Sequence, residues 1–129
     1  MNEHSTFFAP MIYPKKVAPA IEFYKKAFYT IELRRWSNDD GDVHVAELTI
    51  DGALFHLDEE VSRISELSPE TLKGTSIAIG LFVSDPHAVM ARAVAAGGTA
   101  LDLVTDYDYQ YRQDALLTLS VITGLLKKN

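Results

Sequence analysis

His44, Glu47 and His56 are the side chains of this sequence best suited to moving protons. A free imidazole titrates at about 6.5, so His56 can act as acid or base near neutrality. His44 and Glu47 lie three residues apart in the alternating run "DVHVAELTI", residues 42–50. Strict alternation sends them to opposite faces of a strand, so they are not expected to share a site. Either His44 with Ala46 and Leu48, or Glu47 with Val45 and Thr49, lines a cleft; hairpin register leaves that choice open. A second group is aromatic and cationic: Trp36, Tyr107, Tyr109 and Tyr111, with Arg35 and Arg112. These could line an apolar cleft and hold a planar or amphipathic molecule by stacking. Asp58, Glu59 and Glu60 read as a solvated charge run, while His4 and His87 take no role.

Composition narrows the possibilities further. Cysteine is absent, which excludes a thiolate nucleophile, a disulfide framework and Cys-type metal ligation. Twelve Lys and Arg against eighteen Asp and Glu give a net charge of −6. With no basic stripe along any element, the electrostatic footprint of a nucleic-acid binder is missing. At 129 residues and 47% hydrophobic content, the chain can bury a core as one domain without staples. No apolar run reaches the roughly 18 residues of a membrane span, and no signal-like segment opens the chain. A soluble, cytoplasmic protein without a membrane partner is the expectation.

The elements that must position these residues follow from periodicity. Residues 7–13 form a short apolar run ended by Pro14, a strand by length and punctuation. Val17, Ala20, Ile21, Tyr24 and Phe28 recur at helical spacing opposite a lysine-rich face, with Pro19 tolerated only in the first turn. Residues 31–37 and 42–50 read as strands around the "NDDG" turn, and Asp51-Gly52 leads into a further strand over 53–60. A polar stretch over 62–73 interrupts the pattern with at most one helical turn. The order then restarts: an apolar strand over 75–83, a helix capped by Asp85 with Pro86 at its first position and stopped at Gly97-Gly98, and a strand over 99–105. Residues 106–113 read as an aromatic-rich loop or strand start. A strand-helix-strand unit opening each half, offset by roughly seventy residues, suggests an internal repeat.

The segments "AIEFYKKAF", "RRWSNDDG", "IDGALFHL", "SPETLKGTSI", "AVMARAVAAG", "DYDY" and "YRQ" resemble the glyoxalase, bleomycin-resistance and extradiol-dioxygenase (vicinal oxygen chelate) superfamily. More narrowly they resemble its bacterial branch related to phosphonate-operon and demethylubiquinone-methyltransferase-like proteins, over residues 7–113. The resemblance implies an α+β fold of two βαβββ modules, about 6–60 and 74–129 joined by a linker over 61–73. Each module curls a mostly antiparallel sheet, ligands sit on the concave face, and a homodimer is usual. Metal-dependent members place four His and Glu ligands in the cleft. Carried onto this chain, those positions fall near Ala9 or Pro10, on His56, near Ser76, and on Leu125 or Leu126. Only His56 can ligate, so a metal-free cleft binding a small organic ligand is expected. The alternative is a divalent-metal lyase or dioxygenase built on His56. Candidate catalytic residues are His56 and Glu47; candidate ligand-binding residues are Trp36, His44, His56, Tyr107, Tyr109 and Arg112. Tyr29 and Gln110 stand where the branch usually has glycine.

The last residues, "YRQDALLTLSVITGLLKKN", depart from the branch, which normally ends in a segment like "DPFGHHWLIEKK". Codons compatible with residues 117–128, shifted back by one base, spell "DPFGHHWLIEK". The sequence thus predicts that one base was lost just after Gln113, giving the family ending read out of frame. Leu117, Leu119, Val121 and Thr123 alternate as in a strand, while Leu116, Leu119, Ile122 and Leu126 fit a helix, and no clear turn breaks the run. Such an apolar tail is a hazard for strand or tail exchange between subunits.

Overall fold

The computed structural model describes residues 8–61, 66–73, 77–106, 111–117 and 122–128, with side chains over 101–128 limited to Leu125. The chain opens with β1 (Met11–Ile12), α1 (Val17–Phe28), β2 (Ile31–Ser37), β3 (Val43–Ile50) and β4 (Ala53–Asp58). After α2 (Pro69–Leu72) come β5 (Ala78–Phe82), α3 (Pro86–Ala95), β6 (Thr99–Asp106), β7 (Tyr111–Leu117) and β8 (Ile122–Lys128). The two sheets have orders β1-β4-β3-β2 and β5-β8-β7-β6, the same arrangement with each index raised by four. In both, the first strand runs parallel to the last, and the remaining pairs are antiparallel.

Local chemistry sets the boundaries. β1 is shorter than the apolar run 7–13 implies, because Pro10 and Pro14 lack the N–H a ladder needs and bracket it. Asp51 (φ 48°) and Gly52 (φ 85°) are both left-handed, the backbone a two-residue type I′ hairpin between β3 and β4 requires. α1 buries Val17, Ala20, Ile21, Phe23, Tyr24, Ala27 and Phe28, adding Phe23 and Ala27 to the stripe expected. Lys25 and Lys26 in its last turn complement the helix dipole. Asp85 accepts from the Ala88 N–H at 3.2 Å and Pro86 occupies the first turn of α3, as the sequence predicts.

The core lies between α1 and its sheet. Tyr24 meets Phe55 at 5.1 Å between ring centres, and Ala46, Leu48 and Leu57 are fully buried on the same side. α1 packs on α3, where Arg92 Nε donates to the Ala27 carbonyl at 2.7 Å and the guanidinium sits 4.2 Å from the Tyr29 ring. Tyr29 ends α1 in the left-handed region (φ 54°), donating its N–H to the Tyr24 carbonyl. That is a backbone state glycine normally supplies, so the side chain costs roughly 1 kcal/mol there.

The tail resolves as strand. β8 lies between β5 and β7, with Leu125 opposite both Leu81 and Asp114 and wholly buried. Pairing on both edges fixes the extended conformation, which periodicity alone left open. The connection over 118–121 is outside the described residues. Among those described, no helix is long and apolar enough to cross a membrane.

Candidate ligand-binding face

Because Ala46, Leu48, Phe55 and Leu57 turn toward α1, period two sends Glu47, Leu54, His56 and Asp58 to the opposite face of the first sheet. Register then aligns four residues in one row across all four strands. Met11 is opposite His56, His56 is opposite Glu47, and Glu47 is opposite Arg34. Glu47 Oε2 is the centre of the row. It lies 3.4 Å from Arg34 Nε and 3.9 Å from His56 Nε2, an ion pair whenever the imidazole is protonated. The Arg34 guanidinium sits 5.1 Å from the centre of the Trp36 ring, on the same strand two residues on. Trp36 and Arg34 remain substantially exposed, whereas His56 and Glu47 are about three-quarters buried. The arrangement offers a stacking surface, a guanidinium, an imidazole and a carboxylate on one open face.

A second polar group adjoins the row. Asp58 carries a buried Oδ1 without a hydrogen-bond partner among the described residues, and so does His44 at Nδ1. Burial pushes the Asp58 carboxyl up, Glu66 adds to this, and the His56 and His44 charges oppose it. The Tyr13 hydroxyl donates to Glu66 Oε2 at 2.9 Å and is itself pushed up to about 12 by burial, then by Glu66 and Asp58. Glu60 accepts from the Ser68 N–H at 2.8 Å and from the Thr71 hydroxyl, which holds its carboxyl below the usual range.

Several expectations change here. Asp58 and Glu60 are not a solvated run: Asp58 buries its Oδ1, and Glu60 accepts from Ser68 and Thr71. Strict alternation fails at His44, because a register shift opposite Trp36 and Ser37 inserts an extra residue into β3. His44 therefore stays within electrostatic reach of Asp58, on the side of the sheet that carries Glu47. Arg35 does not join Trp36: it pairs with Ala46 in register and binds Glu32, which also accepts from Lys25 of α1 at 2.9 Å. Those bonds, the Arg35 one first, hold the Glu32 carboxyl down at about 2. Arg34 is the cation beside Trp36, and its i, i+2 relation to that residue was a usable signal in the sequence. Tyr107 and Tyr109 lie outside the described residues. Tyr111 and Arg112 contribute described backbone in β7 and no described side chain.

Among the described residues, the donors of this row do not make up a metal site. The residue opposite His56 on β1 is Met11, a soft thioether, and the thiol-free chain offers only His56 and Glu47 in the row. Among the described residues no three His, Asp or Glu side chains converge. Leu125, on one of the carried-over ligand positions, is buried in the core, and Ser76 is outside the described residues.

Comparison with known proteins agrees with the topology. A gene product of Arabidopsis thaliana superposes with TM-score 0.72 at 24% identity, covering 97% of this chain and 99% of that one. A glyoxalase/bleomycin resistance protein/dioxygenase family enzyme from Burkholderia phytofirmans gives 0.71 at 16% identity, over 92% and 95%. The chain has the glyoxalase/bleomycin resistance fold. A fosfomycin resistance protein from Listeria monocytogenes shares it as well, with TM-score 0.72 at 13% identity over 97% and 94%. In sequence, uncharacterised proteins of Mycobacterium bovis and Mycobacterium tuberculosis are 35% identical over 101 residues, 76% of this chain. The match spans 66% and 59% of those relatives' lengths. A scan against protein-family models finds no match.

Proposed function

We propose that this chain is a glyoxalase/bleomycin-resistance superfamily protein of the bacterial phosphonate-operon-like branch. In this reading it binds a small organic ligand on the face that carries Trp36, Arg34, Glu47 and His56, without a built-in metal. The row around Glu47 Oε2 carries the reading: two donors converge on one carboxylate beside an exposed indole. A planar ligand would stack on Trp36 in place of Arg34, and the freed guanidinium would take an anionic or carbonyl oxygen. The ligand side chains named from the second half, Tyr107, Tyr109 and Arg112, would face the same cleft. A cytoplasmic homodimer, with strand or tail exchange as one way to form it, belongs to the same proposal.

A thermal-shift screen of planar organic acids tests it. Expected is a saturable rise in Tm that Trp36→Ala and Arg34→Ala each remove. A ligand whose effect survives both substitutions would refute this face as the site. The adjacency of His56 and Glu47 favours one rival, a divalent-metal lyase or dioxygenase completed by water or a partner subunit. Near-stoichiometric retention of Ni, Zn, Mn or Fe(II) by the purified protein, lost in His56→Ala, would replace the metal-free reading with that one.

The out-of-frame reading of the tail makes a third proposal, a relic that folds but has lost its cleft chemistry. The run "DPFGHHWLIEK" in the shifted frame supports it. The gene's nucleotide sequence decides the frame, and codons incompatible with that run would end the idea. Equal ligand affinity of this chain and a frame-restored version would remove the loss of function.

A further inference from the structure

A pocket of about 170 Å³ lies where the two βαβββ units meet, and none of Arg34, Trp36, Glu47 and His56 lines it. Its walls come from both: Tyr24 and Phe28 of α1 and Phe55 of β4 on one side, Ile79 and Leu81 of β5 on the other, with Ile12 of β1 between. Among the described lining residues there is no charged side chain, and the Tyr24 hydroxyl is the one polar side-chain group. We infer that this junction cavity is a second binding site, for a neutral apolar molecule the size of a single ring or a short branched hydrocarbon.

Size and lining set that class together. A wholly apolar enclosed cavity of about 150 Å³ takes up benzene, so this apolar pocket, slightly larger and open on one side, has room for a monocyclic guest. A charged ligand is disfavoured, since no side chain there would replace its lost hydration. Three aromatic rings line the pocket, with Phe55 5.1 Å and Phe28 5.9 Å from Tyr24 between ring centres, both tilted, and they present the ring contacts an aromatic guest prefers. Among the described elements, α1 packs on α3, and Ile79 and Leu81 of β5 pack against the shared core, so occupancy would brace the two units against each other.

This inference is independent of the ligand proposed for the Glu47 row, and its test separates the two. Toluene is the probe, titrated against the full chain by thermal shift and by chemical-shift perturbation. Saturable binding is expected, with Tm raised by about 4–7 °C at ten times Kd. Ile79→Trp, which fills the cavity, should weaken toluene at least tenfold, and Leu81→Phe provides a second filled form should the first fold poorly. Trp36→Ala should leave the affinity within twofold. Absence of saturation up to the solubility limit would overturn the site. So would toluene binding unchanged in a folded, filled variant, or abolished by Trp36→Ala.

Discussion

The seam between α1 and α3 rests on Arg92, and its contribution can be worked from two contacts. Its Nε donates to the Ala27 carbonyl, one of the last four of α1 and so without a helical partner. A charged donor there is worth about 1.5–3 kcal/mol in a partly buried setting. The guanidinium also covers the Tyr29 ring at 4.2 Å, and Tyr29 is 71% exposed, which puts that contact near the low end, about 0.5–1 kcal/mol. Arg92→Ala should therefore cost about 2–3 kcal/mol, since neighbouring effects do not add fully. Tyr29→Gly makes the sharper test. It relieves the left-handed strain, a gain of about 1 kcal/mol, but loses the cation–ring contact, so alone it should be nearly neutral. In the Arg92→Ala background only the relief remains, and the same substitution should stabilise by about 1 kcal/mol. Urea unfolding of the four proteins at 25 °C gives the coupling directly, with about 0.5–1 kcal/mol expected. A coupling of zero would refute the ring contact as a stabilising element. An Arg92→Ala loss below about 0.5 kcal/mol would refute the seam argument altogether.

Three further outcomes follow from burial and charge. Leu57→Ala, at a fully buried position under α1, should cost about 2–5 kcal/mol in urea unfolding, and a loss under 1 kcal/mol would contradict the packing described. Glu32, held at about 2 by Arg35 and Lys25, contributes stability that is complete above about 4.5 and is lost as pH falls toward 2. Glu32→Gln should accordingly lose about 1–2 kcal/mol at pH 7, discounted for screening, and flatten the acid limb of Tm against pH. Asp58 has the opposite sign: its carboxyl is raised, so ionisation above its folded pKa opposes folding. Asp58→Asn should raise Tm by a few degrees at pH 7, and the gain should vanish as pH falls to about 4; a lower Tm at pH 7 would mean that the charge has a partner.

Much of the local structure was legible in the sequence. The Asp51-Gly52 hairpin, the Asp85-Pro86 helix start and the apolar stripe of α1 each depend on residues adjacent in the chain, and each is where the sequence places it. The strand-helix-strand unit that opens each half was readable for the same reason, as a repeat of short-range signals. His56 and Glu47 were legible as candidates, because their chemistry is intrinsic to the side chain.

What only the tertiary structure decided was which side chains meet. Glu47 joins His56 and Arg34 because antiparallel register aligns three strands, and register is a property of pairs of strands. His44 and Arg35 depart from expectation because one inserted residue in β3 and one acidic partner, Glu32, redirect them. The tail carried both helical and strand periods, and pairing of β8 with β5 and β7 chose between them. A sequence records propensities residue by residue. Faces, neighbours and the cavity between the units exist only once the strands have paired and α1 has packed on α3.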